Sequence, residues 1–275
     1  MPRLKGMEKM HNTYRIACAF ATLAAAGLVS AQGRLIAIDS SRAIYDINMA
    51  TGAKTLIGTA SSNAGTAAGL AYDRMTDTLY LTSSGNDSVY TLDLATGNAT
   101  LIGPYNQGTS IVMHGLEWDS STGTLYAMSS HNAGLYTVDT TTGAATLVGT
   151  TGLTSFCNLA FDSANNVMYM TNSATDSSYI IDRATASVTL LGPLNGPTNP
   201  HGLAYNHDNG LVYFVDSATD NLYTLDTVTG AANLIGSTGT GNLLGLAYVN
   251  PVPEPATLAA LGLGVAALIR RRRRS

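Results

Sequence analysis

A repeat with a period of about 44 residues runs through most of this chain, and it restricts the possible folds more than any other feature of the sequence. Its clearest marker is a glycine at the end of a short apolar run, which recurs at Gly58, Gly103, Gly149, Gly192 and Gly236. By subtraction, successive markers are 45, 46, 43 and 44 residues apart. Periods of about 20–50 residues are typical of solenoids and propellers. The 275 residues therefore contain one repeat array rather than two unrelated domains.

Each repeat contains four short segments in a constant order. The first reads Gly-Leu-Ala-Tyr-Asp or a close variant and starts at Gly69, Gly115, Asn158, Gly202 and Gly245. The second ends in Leu-Tyr or an equivalent pair, the third resembles Leu-Tyr-Thr-Leu-Asp, and the fourth follows a Thr-Gly turn and ends at the glycine marker. Segments rich in β-branched and aromatic residues and bounded by Gly, Asn, Asp, Ser or Thr indicate strands. Four such strands per repeat, with no helical periodicity between residues 32 and 250, predict the blades of an all-β propeller.

The two ends of the array predict how many blades there are. Residues 35–58 supply the second, third and fourth strands of a repeat, whereas residues 245–249 supply an isolated first strand. If this last strand pairs with the first three, the result is a closed five-bladed ring. Closure removes the free sheet edges that would invite aggregation. The alternative, a solenoid, would need capping repeats instead of closure.

The first 31 residues have the pattern of a secretory signal peptide. A basic segment precedes the apolar residues 16–29, and the small-x-small sequence that follows predicts cleavage after Ala31 by signal peptidase. Cys157 is then the one cysteine of the mature chain. An intramolecular disulfide is excluded, so stability must come from packing.

The C-terminal 25 residues, 251–275, have a different composition from the repeats and contain three parts. A Pro-Glu-Pro element, a short apolar segment over 256–269 and a basic cluster follow one another; the element and the cluster are Val252, Pro253, Glu254, Pro255, Arg270, Arg271, Arg272, Arg273 and Arg274. A helix over the 14 apolar positions would reach about 21 Å, which is short of a bilayer core of about 30 Å. The arginines would extend its reach by snorkelling and would hold the C-terminus in the cytoplasm.

This order of parts resembles the PEP-CTERM sorting signal. The resemblance implies recognition by an exosortase-type sorting protease, cleavage near Pro253-Glu254-Pro255, transient anchoring in the inner membrane and release to the outer surface or extracellular matrix. An ordinary weak tail anchor is the alternative. The repeats in turn resemble extracellular propellers of the quinoprotein or YVTN-like type, which implies a fold but no particular function.

Charge excludes one class of partner. Between residues 32 and 250 the chain has five Lys and Arg against sixteen Asp and Glu, that is, the 18 of the whole chain minus Glu8 and Glu254, for a net charge of −11. An acidic surface repels phosphate backbones. We therefore expect no nucleic-acid partner.

The place just before the first strand contains residues with ligand chemistry in three adjacent repeats. His114, Cys157 and His201 occupy it, and His131 lies in a hairpin expected on the same face. Imidazole and thiolate are the ligands that zinc and copper select. A divalent metal at the mouth of the channel is therefore one hypothesis, and three unrelated residues with side chains that point apart are the other. No further cofactor is indicated.

Glu117 is exceptional among the residues predicted at the propeller axis. The other four repeats have alanine at its position, so a carboxylate there would bind a cation, or titrate with a raised pKa, or be hydrated in an open channel. We expect a non-enzymatic binding or matrix protein whose polar loops contact extracellular polysaccharide or other surface proteins. The alternative is a glycan-active hydrolase or lyase with a site formed by His114, Glu117, Cys157 and His201.

Overall fold

The computed structural model describes residues 32–108 and 111–251. The predicted signal peptide and the predicted sorting tail from residue 252 onwards lie outside the described residues. Gly33–Asn250 form one compact unit. Within it, twenty described strands form five separate four-stranded antiparallel sheets, and one short 3-10 helix spans Ser62–Ala64. The predicted all-β propeller of five four-stranded blades is confirmed.

The blades are numbered in chain order, and the strands of each follow from the innermost to the outermost. Blade 1 contains β20 (Leu243–Val249), β1 (Arg34–Asp39), β2 (Ala43–Ile47) and β3 (Lys54–Thr59). Blade 2 contains β4 (Ala67–Asp73), β5 (Thr78–Ser83), β6 (Ser88–Leu92) and β7 (Ala99–Pro104). Blade 3 contains β8 (Met113–Asp119), β9 (Thr124–Ser129), β10 (Gly134–Val138) and β11 (Ala145–Thr150). Blade 4 contains β12 (Cys157–Asp162), β13 (Val167–Asn172), β14 (Ser177–Ile181) and β15 (Val188–Pro193). Blade 5 contains β16 (Pro200–Asn206), β17 (Leu211–Asp216), β18 (Asn221–Leu225) and β19 (Ala232–Ser237).

Blade 1 is assembled from both ends of the array, as the split repeat predicts. Strand β20 pairs antiparallel with β1, and Leu35 stands opposite Tyr248 in this register. A carboxylate of blade 5 reinforces the closure, because Asp208 accepts hydrogen bonds from the Tyr248 hydroxyl at 2.5 Å and from the Gly33 amide at 3.1 Å. The isolated C-terminal strand is therefore the inner strand of the first blade, and the ring has no open seam.

The glycines that begin the first segment allow the inner strands to approach one another closely. A Cβ atom on Gly69 would lie 2.3 Å from the carbonyl oxygen of His114, and one on Gly115 would lie 2.4 Å from that of Cys157. Blade 4 has Asn158 at the same place, and its side-chain amide donates a hydrogen bond of 3.2 Å to the Pro200 carbonyl. The backbones of neighbouring inner strands thus pack against one another directly around the axis.

The turn between the third and fourth strands uses its aspartate as the sequence predicts. In blade 2, Asp93 Oδ1 accepts hydrogen bonds from the amides of Ala95 at 2.8 Å and Thr96 at 3.3 Å. Gly97 closes the turn with a φ of +73°, where a side chain would be strained. A Cβ on Gly97 would also lie 2.4 Å from the Thr59 carbonyl oxygen of blade 1. This turn therefore also forms part of the contact between blades.

The outermost strands have a common irregularity. In all five blades the pairing of the third and fourth strands shifts register by one residue, next to a tyrosine of the third strand in each case. Such bulges increase the local twist and make an edge a poorer template for another strand. Each bulge lies beside a leucine that projects into solvent from the fourth strand of the same blade; these are Leu56, Leu101, Leu147, Leu190 and Leu234.

The propeller has two faces that differ in which loops they contain. We call the end at which each inner strand begins the top face; it contains the turns between second and third strands and the connections between blades. We call the other end the bottom face; it contains the turns between first and second and between third and fourth strands. Gly33 and Asn250 both lie at the bottom, because Arg34 pairs with Val249 at that end of the sheet.

The close approach at Gly69 gives a direct test of the packing around the axis. Gly69→Ala should destabilise the propeller by about 1–3 kcal/mol, because the new methyl group overlaps backbone rather than a movable side chain. Gly58→Ala is the matched control, since a Cβ at that position meets nothing within 4 Å. Thermal unfolding should give a lower melting temperature for Gly69→Ala than for Gly58→Ala. Equal melting temperatures would contradict direct contact between the inner strands.

Candidate functional site

The mouth of the channel on the top face is occupied by three rings. Phe156 lies between His114 and His201, with centroid distances of 4.5 Å and 4.6 Å and edge-to-face geometry in both pairs. His114 is the second residue of the inner strand of blade 3, His201 is the second residue of that of blade 5, and Phe156 immediately precedes the inner strand of blade 4. The structure therefore brings the two predicted histidines into one cluster, joined through an aromatic ring.

Both imidazoles are neutral at neutral pH. Burial, together with the nearby His114, lowers the pKa of His201 to about 4. Burial also lowers the pKa of His114 to about 4, and the exposed His131 on the neighbouring turn contributes to this shift. His114 Nδ1 is 3.1 Å from the Ser130 hydroxyl, whereas His201 Nδ1 is buried without a hydrogen-bond partner. The cluster is thus an uncharged plug.

Cys157 belongs to the interior of the sheet rather than to this cluster. Its Sγ accepts a hydrogen bond of 3.1 Å from the Asn172 side-chain amide and lies 3.7 Å from the Leu153 carbonyl oxygen. Burial raises the pKa of the thiol to about 11, so it is protonated and a poor metal ligand. Among residues 32–108 and 111–251, no three His, Cys, Asp or Glu side chains are grouped so that they could hold a metal ion. These donors do not fit a divalent metal at the mouth.

Glu117 lies two residues after Gly115 on β8. Its carboxylate accepts a hydrogen bond of 3.1 Å from the Trp118 amide. The side chain is half-buried, yet protein surrounds it on most sides, and this desolvation raises its pKa well above the usual range. The backbone amides of Trp118 and Phe161 oppose that shift only in part. The charge of Asp119 adds to the rise in the pKa of Glu117, which lies on β8 near Phe161 of blade 4.

The four predicted residues do not line a common cavity. Of the four, only His114 borders the space at the axis, which is enclosed by inner-strand residues and leaves no room for a water molecule; these are Gly69, Leu70, His114, Leu116, Asn158, Leu159, Gly202, Leu203, Leu244, Gly245 and Leu246. A substrate therefore has no described space at that level in which to meet His114, Glu117, Cys157 and His201 together.

The more open site is on the bottom face, and the sequence patterns above did not predict it. Arg183, in the turn after β14 of blade 4, pairs with Asp119 of blade 3, whose side chain is fully buried. Burial alone would raise the pKa of Asp119, but hydrogen bonds from Ser121 and Thr122 and the charge of Arg183 lower it below its usual value. Beside this ion pair lies a groove of about 430 Å³.

Two signals in the sequence could have pointed to these residues. Arg183 is one of five basic residues in the propeller, and it stands where the corresponding turns of blades 3 and 5 have Thr140 and Thr227. Phe156 is one of only four phenylalanines in the chain, and it directly precedes an inner strand.

Within the part of the chain that the structure describes, no helix is long and apolar enough to cross a bilayer.

The fold and these surfaces define a five-bladed β-propeller with a plugged axis. The particular protein is further characterised by its C-terminus: residues 251–274 match the model of the PEP-CTERM protein-sorting motif. The chain therefore has this sorting motif, as the sequence predicted. No curated protein matches the chain.

Solved structures share the fold at low sequence identity. The Nidogen/Laminin complex contains a chain 16% identical, with a TM-score of 0.55 over 79% of this chain and 85% of that one. A structural genomics protein of unknown function from Bacteroides thetaiotaomicron is also 16% identical, with a TM-score of 0.56, and the match covers 80% of this chain but 65% of that one. A symmetrical protein solved in work on its de novo evolutionary emergence is 19% identical, with a TM-score of 0.52 over 81% of this chain and all of that one. Similarity at this level shows the propeller fold alone.

The buried histidines predict how stability depends on pH. The folded pKa of His201, about 4, lies below the unfolded value of 6.5, so its contribution is complete above pH 6.5 and is lost as the pH falls towards 4. The loss is on the order of 3 kcal/mol at most. His201→Phe keeps a ring against Phe156 and should flatten the fall in melting temperature between pH 6.5 and 4.5. His131→Ala removes an exposed imidazole that makes only a minor contribution to the pKa of His114, so it should change the slope much less than His201→Phe does. An unchanged slope in His201→Phe would contradict the assignment.

Proposed function

We propose that this chain is an exported surface or extracellular-matrix protein whose propeller binds other components of that environment without catalysing a reaction. The observation that carries the proposal is the match of residues 251–274 to the PEP-CTERM protein-sorting motif. A sorting motif of this type implies export and processing by an exosortase-type protease. Signal peptidase would first remove residues 1–31 by cleaving after Ala31.

The arrangement of the tail supports a transient role in the membrane. A helix over the apolar residues 256–269 would be only about 21 Å long, so it would be a poor permanent span. Arg270–Arg274 resist translocation and would stop the chain while the protease acts near Pro253-Glu254-Pro255. Cleavage there would release the propeller to the outer surface.

Two features of the propeller favour binding over catalysis. Glycosidases generally place two carboxyl groups about 5–10 Å apart across the scissile bond. Glu117 is the single acid among the five equivalent inner-strand positions, which have alanine at Ala71, Ala160, Ala204 and Ala247 in the other blades. The neutral ring cluster on the top face, in turn, offers a packed surface rather than a cavity.

The positions of the chain ends leave most of the propeller surface available. Gly33 and Asn250 both lie on the bottom face next to the closure of blade 1. The top face, with its Ser, Thr and Asn-rich turns, and the bottom turns of blades 3 and 4 are remote from that point in the ring. The net charge of −11 over residues 32–250 favours neutral or basic partners, such as surface proteins and uncharged glycans.

The sorting step can be tested by mass. The exported wild-type protein should lack the tail, whereas replacement of Pro253, Glu254 and Pro255 by alanine should leave an uncleaved form in the membrane fraction. The reason is that the apolar segment and the arginines remain while the recognition element is gone. Pro251→Ala, just outside the Pro-Glu-Pro element, is the matched control and should be processed normally. Intact-mass measurement that finds Arg270–Ser275 on exported wild-type protein would overturn the proposal.

A further inference from the structure

The seams between blades on the bottom face differ in one residue of the turn between the third and fourth strands, which is Met49, Leu94, Thr140, Arg183 and Thr227 in blades 1 to 5. In the seam between blades 2 and 3, Tyr80 of β5 lies near Thr140 of the next blade, and the Thr140 side chain partly offsets the rise in the pKa of Tyr80 that burial causes. Tyr169 and Thr227 repeat this arrangement between blades 4 and 5. A tyrosine and a threonine thus close these two seams.

The seam between blades 3 and 4 is built differently. Tyr126 occupies the tyrosine position, but the next blade presents Arg183 instead of threonine. Arg183 turns away to the Asp119 carboxylate, and the two blades are separated at this point by the groove of about 430 Å³. A volume of this size is within the range of about 300–1,000 Å³ that small-molecule sites occupy.

Arg183 is held rigidly at the groove. Besides the ion pair with Asp119, its Nη2 donates a hydrogen bond of 2.7 Å to the Asn166 side-chain oxygen, and its Nη1 lies 3.3 Å from the Ser121 hydroxyl. The guanidinium carbon is 4.7 Å from the centroid of the Phe161 ring. A side chain fixed from four directions loses little entropy when it binds a ligand.

The composition of the groove selects a class of ligand. Its lining combines the apolar Val167, Met168 and Ile180 and the ring of Tyr126 with the polar Thr122, Asn166, Asp182 and Arg183. Asp119 neutralises Arg183, and Asp182 leaves the groove with a net charge of −1. Anionic ligands are therefore disfavoured. A molecule with an apolar face and many hydroxyl groups matches this mixed lining.

The geometry points to this groove as a binding site for a neutral saccharide, formed by Tyr126, Asn166, Asp182 and Arg183. The sugar ring would pack its C–H face on the apolar lining residues, and its hydroxyls would exchange hydrogen bonds with the amide, carboxylate and guanidinium groups. This inference rests on the proposed binding function and names the ligand class for it.

The repeat itself supplies a variant that should remove the guanidinium from the groove and keep the fold. Arg183→Thr restores the residue found at the same position in blades 3 and 5. Loss of the arginine is tolerable for the buried carboxylate, because Asp73 and Asp162 occupy the place of Asp119 in blades 2 and 4 and face Thr140 and Thr227 there. Those aspartates are satisfied by hydrogen bonds from their own turns.

The test uses the full chain, purified in detergent micelles, against an array of neutral, uronic-acid-containing and sulfated oligosaccharides and short basic peptides. We expect saturable binding to neutral saccharides, an affinity at least tenfold lower for Arg183→Thr, and an affinity about threefold lower for Tyr126→Phe. Thr227→Ala, which alters the neighbouring seam and leaves the groove unchanged, should bind as the wild type does. Melting curves show whether each variant is folded.

Several outcomes would overturn the inference. Folded wild-type protein that binds no neutral saccharide would do so, as would binding confined to acidic glycans or peptides, or equal affinity in Arg183→Thr. None of these results affects the sorting measurement, which depends on residues 251–275. Failure of the saccharide site and failure of the exported-protein proposal are therefore distinguishable.

Discussion

The antiparallel pairing of β20 with β1 is the interaction on which the rest of the structure depends. The five blades are equivalent in the ring. Loss of any one contact between neighbouring blades would therefore expose the inner strands of both. Chain ends that meet in one blade convert this weak point into an ordinary strand pair, with Ala37 opposite Leu246 in the middle. The hydrogen bonds of Asp208 to Tyr248 and to Gly33 connect the same place to blade 5. Closure, and not any disulfide of the described propeller, holds the ends of this domain.

Closure also explains the plugged axis. Five sheets in a tight ring bring the inner strands so close that Gly69, Gly115 and Gly245 face neighbouring backbones within 2.5 Å of a hypothetical Cβ. A narrow axis leaves little space for a substrate, and Phe156 with its two histidines covers the top. Ligand contact is then expected where neighbouring blades separate, and the substitution of arginine for threonine at position 183 provides such a place.

The fold could be predicted from the sequence because the same order of strand and turn residues recurs in each repeat. One Leu-Tyr-Thr-Leu-Asp segment is a weak strand signal, but its recurrence at a constant spacing specifies the strand order, the turns and the split blade. The site could not be predicted in the same way. Equivalent positions in different repeats differ in side-chain direction, because β8 and β16 are bulged at this level and β12 is not: His114 and His201 contact Phe156, whereas Cys157 lies within the sheet beside Asn172. Side-chain alternation along a strand means that an offset of one residue, as between Phe156 and Cys157, changes the environment completely. Arg183 was recognisable only by comparison of one turn position across all the repeats.

Hydrogen exchange of the backbone amides tests closure most directly. If β20 is an integral strand of blade 1, its amides and those of β1 exchange only through global unfolding, at the same free energy of opening as the inner strands β8 and β12. The contradicting result is exchange in β20 and β1 that is faster by orders of magnitude than exchange in β8 and β12 while the protein remains folded. It would show that the ring opens between β20 and β1.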